Sequence, residues 1–206
     1  MKQIILLSLL IMTMLGCKNN SPAVNDVSNT DEASVVLDAI ATRTSIRSYV
    51  PDRTVPADTV TLLLKAAMAA PTAVNKQPWA FVVVNERAML DSLAAVLPYA
   101  RMLTHAPLAI VPCGDMTRAL EGDGRDFWIQ DVSAATENML IAAHALGLGA
   151  VWTGVYPDTE RVNDVRKVLG MPDEIIPLCV VPIGYPEGEH APKDKWDEAK
   201  VRYNKW

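Results

Sequence analysis

The feature that most constrains the fold is a long helical pattern in the second half of the chain. Across residues 125–146, apolar side chains recur on one face at helical spacing, at Val132, Ala135, Met139, Ala143 and Leu146. Gly147 follows directly and suits the left-handed position that ends a helix. The pattern therefore predicts one long amphipathic helix, the longest in the chain.

Shorter helices and strands are interspersed along the rest of the sequence. Helices are predicted over residues 35–42 behind a capping Ser34, between Pro56 and Pro71, over 86–97, and from Asp158 to about Leu169. Short apolar runs predict a buried strand over 79–84 and further strands over 108–113, 150–155 and 178–183. Pro112 suggests that the second strand lies at a sheet edge or contains a bulge. With no internal repeat, the pattern is typical of an α+β domain in which helices cover a modest sheet.

Composition limits the class of protein. The chain has 206 residues, 50% of them hydrophobic, which is enough for one compact domain. A net charge of -5 lacks the basic surplus of a nucleic-acid binder, and the scattered histidines and cysteines predict no metal site. Cys113 and Cys179 lie in apolar runs and are predicted to be buried thiols. The sequence leaves open whether the two form a disulfide.

The beginning of the chain predicts export and a lipid anchor. Behind Lys2, the apolar run over 4–15 is shorter than the roughly 20 residues of a membrane-spanning helix and is typical of a secretory signal. It ends in Met-Leu-Gly-Cys at 14–17, which resembles a bacterial lipoprotein box. We expect a signal peptide over 1–16, a lipidated Cys17, a polar tether over 17–33 and a folded domain over 34–206. The protein would be a membrane-anchored lipoprotein of the cell envelope; the alternative is an ordinary cleaved signal with an incidental cysteine.

Four segments carry groups suited to a ligand, and the first is Arg-Thr-Ser-Ile-Arg at 43–47. Arg43 and Arg47 flank the hydroxyl groups of Thr44 and Ser45. Guanidinium groups bind phosphate through paired hydrogen bonds and hydroxyl groups add neutral donors, so the segment predicts a phosphate site. The alternative is a solvated charged turn.

The second segment is the polar stretch Ala-Pro-Thr-Ala-Val-Asn-Lys-Gln-Pro-Trp at 70–79. Between Pro71 and Pro78 it collects the hydroxyl group of Thr72 and the amides of Asn75 and Gln77. Mixed donors and acceptors of this kind suit the edge of a pyrimidine-like ring. The alternative is a rigid connecting loop.

The third segment, Leu-Gly-Leu-Gly at 146–149, leads into Trp152, Thr153 and Gly154. Its glycines let the backbone approach a flat ligand closely, although the same residues also form a helix end that leads into a strand. No Gly-x-Gly-x-x-Gly turn follows the first strand, which weighs against a Rossmann dinucleotide-binding fold.

The fourth segment is Gly-Tyr-Pro at 184–186, followed by Lys193 and Lys195. The two lysines could close over a phosphate group or lie on a solvated surface. Taken in this order, the four segments resemble the FMN-dependent nitroreductase family over about residues 37–195. The chain departs from the family pattern at Thr44, Thr72 and Lys195, where the family often has Arg, Ser and Arg.

The resemblance implies a nitroreductase-like α+β fold with a central, mostly antiparallel sheet covered by helices. It implies a homodimer with FMN at the interface and the tail beyond Lys195 around the partner. The FMN-binding residues implied are Arg43, Thr44, Ser45, Arg47, Lys193 and Lys195 at the phosphate and ribityl end, and Pro71, Thr72, Asn75, Gln77, Trp152, Thr153 and Gly154 around the ring. Asn75 is the best candidate near the N5 edge, and no side chain is assigned a catalytic role because the redox chemistry belongs to the cofactor.

The implied activity is that of an NAD(P)H-dependent flavin oxidoreductase. Hydride equivalents would pass through FMN to an organic acceptor, such as a nitroaromatic or a quinone, by a ping-pong mechanism. Export leaves the donor open, because nicotinamides are abundant in the cytoplasm. The alternatives are a reductive dehalogenase-type relative with a lid over residues 114–126, a lipoprotein that binds or scavenges flavin without turnover, and a purely structural lipoprotein.

Overall fold

The computed structural model describes residues 29–206, in which helices and strands alternate. The helices are α1 Asn29–Thr42, α2 Ala57–Met68, α3 Arg87–Val96, α4 Phe127–Ala145 and α5 Thr159–Leu169. The strands are β1 Trp79–Val84, β2 Leu108–Asp115, β3 Gly149–Ala150, β4 Thr153–Gly154, β5 Ile175–Pro177 and β6 Cys179–Gly184. Short 3-10 turns lie at Ala73–Asn75, Arg101–Thr104, Gly122–Gly124 and Glu198–Lys200.

The six strands form an antiparallel sheet with β2 and β6 at its centre. The order is β1-β2-β6-β3, while β4 pairs with β6 and β5 pairs with β2. Along one side of β2, the partner changes from β6 to β5 beyond Ile110. At this change, the N–H of Leu178 donates to the carbonyl of Pro112 at 2.9 Å. The predicted α+β class is confirmed.

Each face of the sheet buries a separate apolar layer. The alternation of side chains along β2 sends Leu108 and Ile110 to the layer under α2 and α4, and Ala109 and Val111 to the layer under α3 and α5. Cys113 belongs to the second layer, with α3 and α5. The core therefore has helices on both sides, and α4 is the most deeply buried helix, with eight buried residues.

The long helix forms close to its predicted place. The predicted face is buried at Val132, Ala135, Met139 and Ala143. Leu146 is exposed instead, because α4 ends at Ala145. Gly147 has a φ of 72°, and the next N–H returns to the carbonyl of Ala143 at 2.8 Å, which is the predicted left-handed helix end.

Two local predictions are wrong, and a third is wrong in part. Helix α1 begins at Asn29, so Ser34 lies within the helix and does not cap it. Strand β1 is half-buried and not buried, because it lies at the end of the sheet order with a partner on one side. Strand β2 is central and not at an edge, whereas the predicted alternative of a bulge agrees with the register: the stretch from Ile110 to Cys113 pairs with a stretch one residue longer, from Pro177 to Val181. Pro112 is tolerated there because its missing N–H falls at this interruption of the partner strand.

The predicted signal peptide over 1–16 and the lipidated Cys17 lie outside the described residues. Within residues 29–206, none of the helices combines the length and the apolarity needed to cross a bilayer. The same part of the chain contains no group of three His, Cys, Asp or Glu side chains placed to hold a metal ion.

Candidate flavin site

Helix α4 contacts the first two predicted ligand segments through two of its side chains. The Nε atom of Arg43 lies 3.0 Å from Oε1 of Glu137. The N–H of Ala73 donates to Oδ1 of Asp131 at 2.9 Å. Because an α-helix rises 1.5 Å per residue, the two acidic residues are about 9 Å apart along α4. The first and second segments therefore lie along the same helix.

The first segment packs directly on the third. The N–H of Ile46 donates to the carbonyl of Ala150 at 3.0 Å, and Ser45 forms a parallel bridge with the same residue. The buried Ile46 side chain lies against Gly149, where an added Cβ would be 2.5 Å from its Cγ2 atom. Gly149 therefore permits a close approach that any larger residue would block.

Tyr49 anchors the residues that follow the first segment. Its hydroxyl group lies within hydrogen-bond distance of the carbonyl oxygens of Ile46, at 2.9 Å, and Pro182, at 3.1 Å. Burial raises the pKa of Tyr49 well above its usual range, although the nearby Arg47 lowers it. Tyr49 is therefore a neutral donor that ties the segment to β6.

A cleft of about 580 Å³ brings Arg43 together with the two lysines near the chain end. We call it the Arg43 cleft, and it is lined by Ile40, Ala41, Thr42, Arg43, Pro192, Lys193, Asp194 and Lys195. The side chain of Arg43 is 17% exposed, whereas both lysines are exposed. Residues far apart in sequence thus place three cations and one carboxylate around one cleft, which suits an anionic group.

Arg47 does not reach this cleft. It lines a separate cleft of about 600 Å³, whose other charged residues include Asp52, Arg87 and Glu187. Ser45 is exposed and Thr44 is half-buried. The structure therefore brings Arg43 together with Lys193 and Lys195, and the contribution of Arg47 to a phosphate site stays a prediction.

The second segment forms a strained loop over residues 71–78, the 71–78 loop. Val74, Asn75 and Gln77 all have left-handed backbones, with φ values of 42°, 56° and 51°. Asparagine tolerates this conformation, whereas the β-branched Val74 is an outlier, and strained residues of this kind cost about 1–3 kcal/mol each. Val74 is also 78% exposed. Backbone strain held in an exposed loop is typical of functional sites.

Hydrogen bonds within the loop fix its polar side chains. The hydroxyl group of Thr72 accepts from the N–H of Gln77 at 3.1 Å, and the side-chain amide of Gln77 donates to Oδ1 of Asn75 at 3.0 Å. The three predicted polar residues are therefore brought together. Their exposed amides present both donors and acceptors at the surface.

Asp131 contacts the candidate site through the 71–78 loop, and sequence reasoning missed it. Its side chain is buried, and it lies at an open groove of about 320 Å³ between α4 and the 71–78 loop, together with Pro71, Thr72 and Phe127. The available signal was a carboxylate directly before Val132, which belongs to the apolar face of the helix. An acidic side chain beside a buried face needs a partner, but the sequence does not show which one.

The third segment places Trp152 half-buried against the core and Thr153 buried beside it. Gly154 is exposed, and a Cβ added there would meet nothing within 4 Å. Neither packing nor a left-handed backbone requires this glycine in the described chain. The open space is consistent with the approach of a flat ligand that the sequence predicts.

Comparisons with known proteins identify the family of the chain. The model of the Nitroreductase family matches residues 40–101 and 91–185. An NADH dehydrogenase/NAD(P)H nitroreductase of Methanothermobacter thermautotrophicus is 45% identical, over a match that covers 83% of this chain and 87% of that protein. The crystal structure of an NADH dehydrogenase/NAD(P)H nitroreductase from Bacteroides thetaiotaomicron has a TM-score of 0.78 and 47% identity, and the match covers 83% of this chain and 98% of that chain. A nitroreductase of Desulfovibrio desulfuricans, solved in complex with FMN, has a TM-score of 0.70 and 31% identity over 83% and 97%.

The fold and the relatives are therefore those of a flavin-dependent oxidoreductase with FMN as its cofactor. Within that class, the chain belongs to the nitroreductase family. The described residues fit FMN at both ends. The Arg43 cleft offers three cations to a phosphate group, and the 71–78 loop offers amides to a ring edge.

Proposed function

We propose that the protein takes hydride equivalents from NAD(P)H and passes them through bound FMN to an organic acceptor, such as a nitroaromatic or a quinone, in a ping-pong reaction. The observation that carries the proposal is the convergence of segments distant in sequence. Arg43 meets Lys193 and Lys195 in one cleft, and the strained 71–78 loop lies further along the same α4 helix.

In this proposal the protein binds and orients, and FMN supplies the capacity to accept and donate hydride. Arg43, Lys193 and Lys195 bind the phosphate group, and Glu137 holds the guanidinium group of Arg43 in place at 3.0 Å. An Arg side chain held by a carboxylate before the ligand arrives loses less conformational entropy on binding.

The ring lies between the 71–78 loop and residues 152–154 in this proposal. Asn75 and Gln77 present amides to its polar edge, and Thr153 and the open backbone at Gly154 face its other side. Arg47 and Ser45 bind the ribityl chain of FMN in this proposal. No side chain needs to act as a general acid, because oriented donors suffice to stabilise charge that develops on a ring edge.

We also propose that the protein is a homodimer. Helix α1 leaves Val35, Val36, Leu37 and Ile40 exposed, and the chain end leaves Trp196, Tyr203 and Trp206 exposed. Apolar side chains clustered on a surface are typical of protein interfaces. Both groups lie next to the Arg43 cleft in sequence, so a partner chain that covers them would also help to close the site.

Anchoring by a lipid at Cys17 is the remaining part of the proposal. The support is the order of apolar run, Cys box and polar tether in the first 33 residues. Expression in a bacterium with radiolabelled palmitate should label the native chain and place it in the membrane fraction. Cys17→Ser should abolish both results; a labelled Cys17→Ser protein would contradict the anchor.

The test of the redox function is the visible spectrum of the purified, detergent-solubilised full chain. We expect a yellow protein that is bleached by NADH or NADPH without oxygen and regains its colour when a quinone is added. A yellow protein that neither nicotinamide bleaches would be a flavin carrier or would use another donor. A protein that stays colourless after incubation with FMN would contradict the proposal altogether.

A further inference from the structure

We propose that Asp131 is a positioning residue for the flavin ring, and that it acts by holding the 71–78 loop in its left-handed conformation. The inference rests on the proposed function, because it assigns the loop to the ring. It concerns a residue that contributes no side-chain atom to the polar edge of the loop.

The burial of Asp131 is the first observation. Asp131 is 6% exposed. Among the described residues it is the one buried acidic side chain, and the other buried polar residues are Thr136 and Thr153. Burying a carboxyl group is unfavourable unless the group is hydrogen-bonded. The buried carboxyl group therefore needs a specific partner, and the partner here is the N–H of Ala73.

The position of that hydrogen bond is the second observation. Ala73 directly precedes Val74, the most strained residue of the loop, and the bond of 2.9 Å ties this point to α4. The contacts between Thr72, Asn75 and Gln77 lie within the loop and cannot fix it relative to the helix. Strained backbones persist only where the surroundings over-determine them, and Asp131 supplies that constraint from outside the loop.

Helix α4 provides a matched comparison. Thr136 is also buried on α4, but its hydroxyl group donates to the carbonyl of Val132 within the helix, at 2.7 Å. Replacing Thr136 perturbs the buried face of the same helix and leaves the 71–78 loop untouched. Any effect specific to Asp131 should therefore be absent in Thr136→Val.

The experiment measures FMN affinity by flavin fluorescence, together with the visible circular dichroism of the bound flavin and the thermal unfolding midpoint. Asp131→Leu removes the acceptor, and we expect the Kd for FMN to rise at least about tenfold, as for the loss of a buried hydrogen bond. The circular dichroism of the flavin bands should change with it. Asp131→Asn keeps an oxygen that accepts the same N–H, so its Kd should stay within about threefold of the native value, as should that of Thr136→Val.

A second variant removes the donor without touching the core. Ala73 begins a 3-10 turn, and Thr72 before it is extended, with φ -136° and ψ 157°, which is the conformation that a following proline requires. Ala73→Pro therefore deletes the N–H at a compatible position. We expect it to weaken FMN binding as Asp131→Leu does, and it tests the inference even if Asp131→Leu fails to fold.

Three outcomes decide the matter. Native FMN affinity and an unchanged flavin spectrum in Ala73→Pro would overturn the role of Asp131. Equal losses of affinity in Asp131→Leu and Thr136→Val would show a general effect of α4 and would also overturn it. If the unsubstituted chain binds no FMN, the proposed function itself fails, and that result is separate from the other two.

Discussion

Gly149 and Gly154 lie in short strands five residues apart, and their surroundings differ. At Gly149, the nearest atoms to an added Cβ are those of Ile46, from 2.5 Å. At Gly154, an added Cβ would have open space around it. The same residue type is therefore required by packing at one position and has open space at the other, where we propose that the flavin ring approaches.

The pair gives a prediction in which one chemical change has two results. Gly149→Ala should lower the free energy of unfolding by about 1–3 kcal/mol, because Ile46 must move from a packed position. Gly154→Ala should leave the free energy of unfolding within about 0.5 kcal/mol, as an open surface position does, and should weaken FMN binding. Chemical denaturation and flavin fluorescence measure the two effects. Native FMN affinity in Gly154→Ala would remove residue 154 from the site.

Export would permit a disulfide, but the two cysteines in the described part of the chain do not form one. Cys113 and Cys179 are free and buried, and they belong to apolar layers on opposite faces of the sheet. Burial raises the pKa of the Cys113 thiol to about 12 and raises that of Cys179 well above its usual range. This arrangement answers the question that the sequence leaves open, because thiols on opposite faces do not pair.

The raised thiol pKa values predict an alkaline loss of stability. Unfolded thiols ionise near pH 8.5, whereas the folded ones stay protonated, so the unfolded state releases protons first. The contribution of the two thiols to the free energy of unfolding should be constant below about pH 8 and fall as the pH rises above that value. Denaturation at several pH values in Cys17→Ser measures the fall, and adding Cys113→Ala should reduce its slope. A thiol reagent that reacts fully with folded Cys17→Ser at pH 8 would contradict the burial.

At the scale of elements, the helices with strong end signals form where the sequence predicts them. Helix α5 runs from Thr159 to Leu169, between the predicted cap Asp158 and Gly170, which has a φ of 61°. The carboxylate of Asp158 accepts from two backbone N–H groups of the first turn. Local chemistry decides these ends, and local chemistry can be read from sequence.

Asp158→Ala should therefore destabilise the protein by about 1 kcal/mol, the usual cost of losing a helix cap. Asp158→Asn keeps a side-chain oxygen for the same N–H groups and should be nearly neutral. Asn163→Ala, an exposed change in the middle of the same helix, is the control. Chemical denaturation measures all three, and equal stability of Asp158→Ala and the native chain would show that the cap is dispensable.

Strand positions within the sheet were harder to predict than helix ends. The composition of residues 79–84 indicates a buried strand, yet β1 has one partner and is half-buried. Pro112 indicates an edge or a bulge; β2 is central, and the missing N–H of Pro112 falls at the one-residue change of register between β5 and β6. Which strand lies beside which depends on contacts distant in sequence, and a local pattern does not contain them.

For the whole molecule, the proposed dimer gives the sharpest expectation. Leu37 on α1 is 65% exposed, close to the 74% of Tyr99, which lies on the α3 and α5 side of the sheet. Leu37→Glu should convert a dimer to a monomer and reduce FMN content, because a charge buried at an apolar interface is unfavourable. Tyr99→Glu should leave both unchanged. Light scattering with absorbance detection measures mass and flavin together, and a native chain that is already monomeric would refute the dimer.

The sequence by itself determined the family and its cofactor and the helix ends at Gly147 and Asp158, and it predicted the segments that we propose for the flavin site. These rest on residue types at fixed local spacing. Only the tertiary structure decided that Arg43 shares a cleft with Lys193 and Lys195 while Arg47 lies in another, and that Asp131 accepts a hydrogen bond from the 71–78 loop. The physical reason is that a hydrogen bond or an ion pair between distant segments depends on how helices and strands pack together.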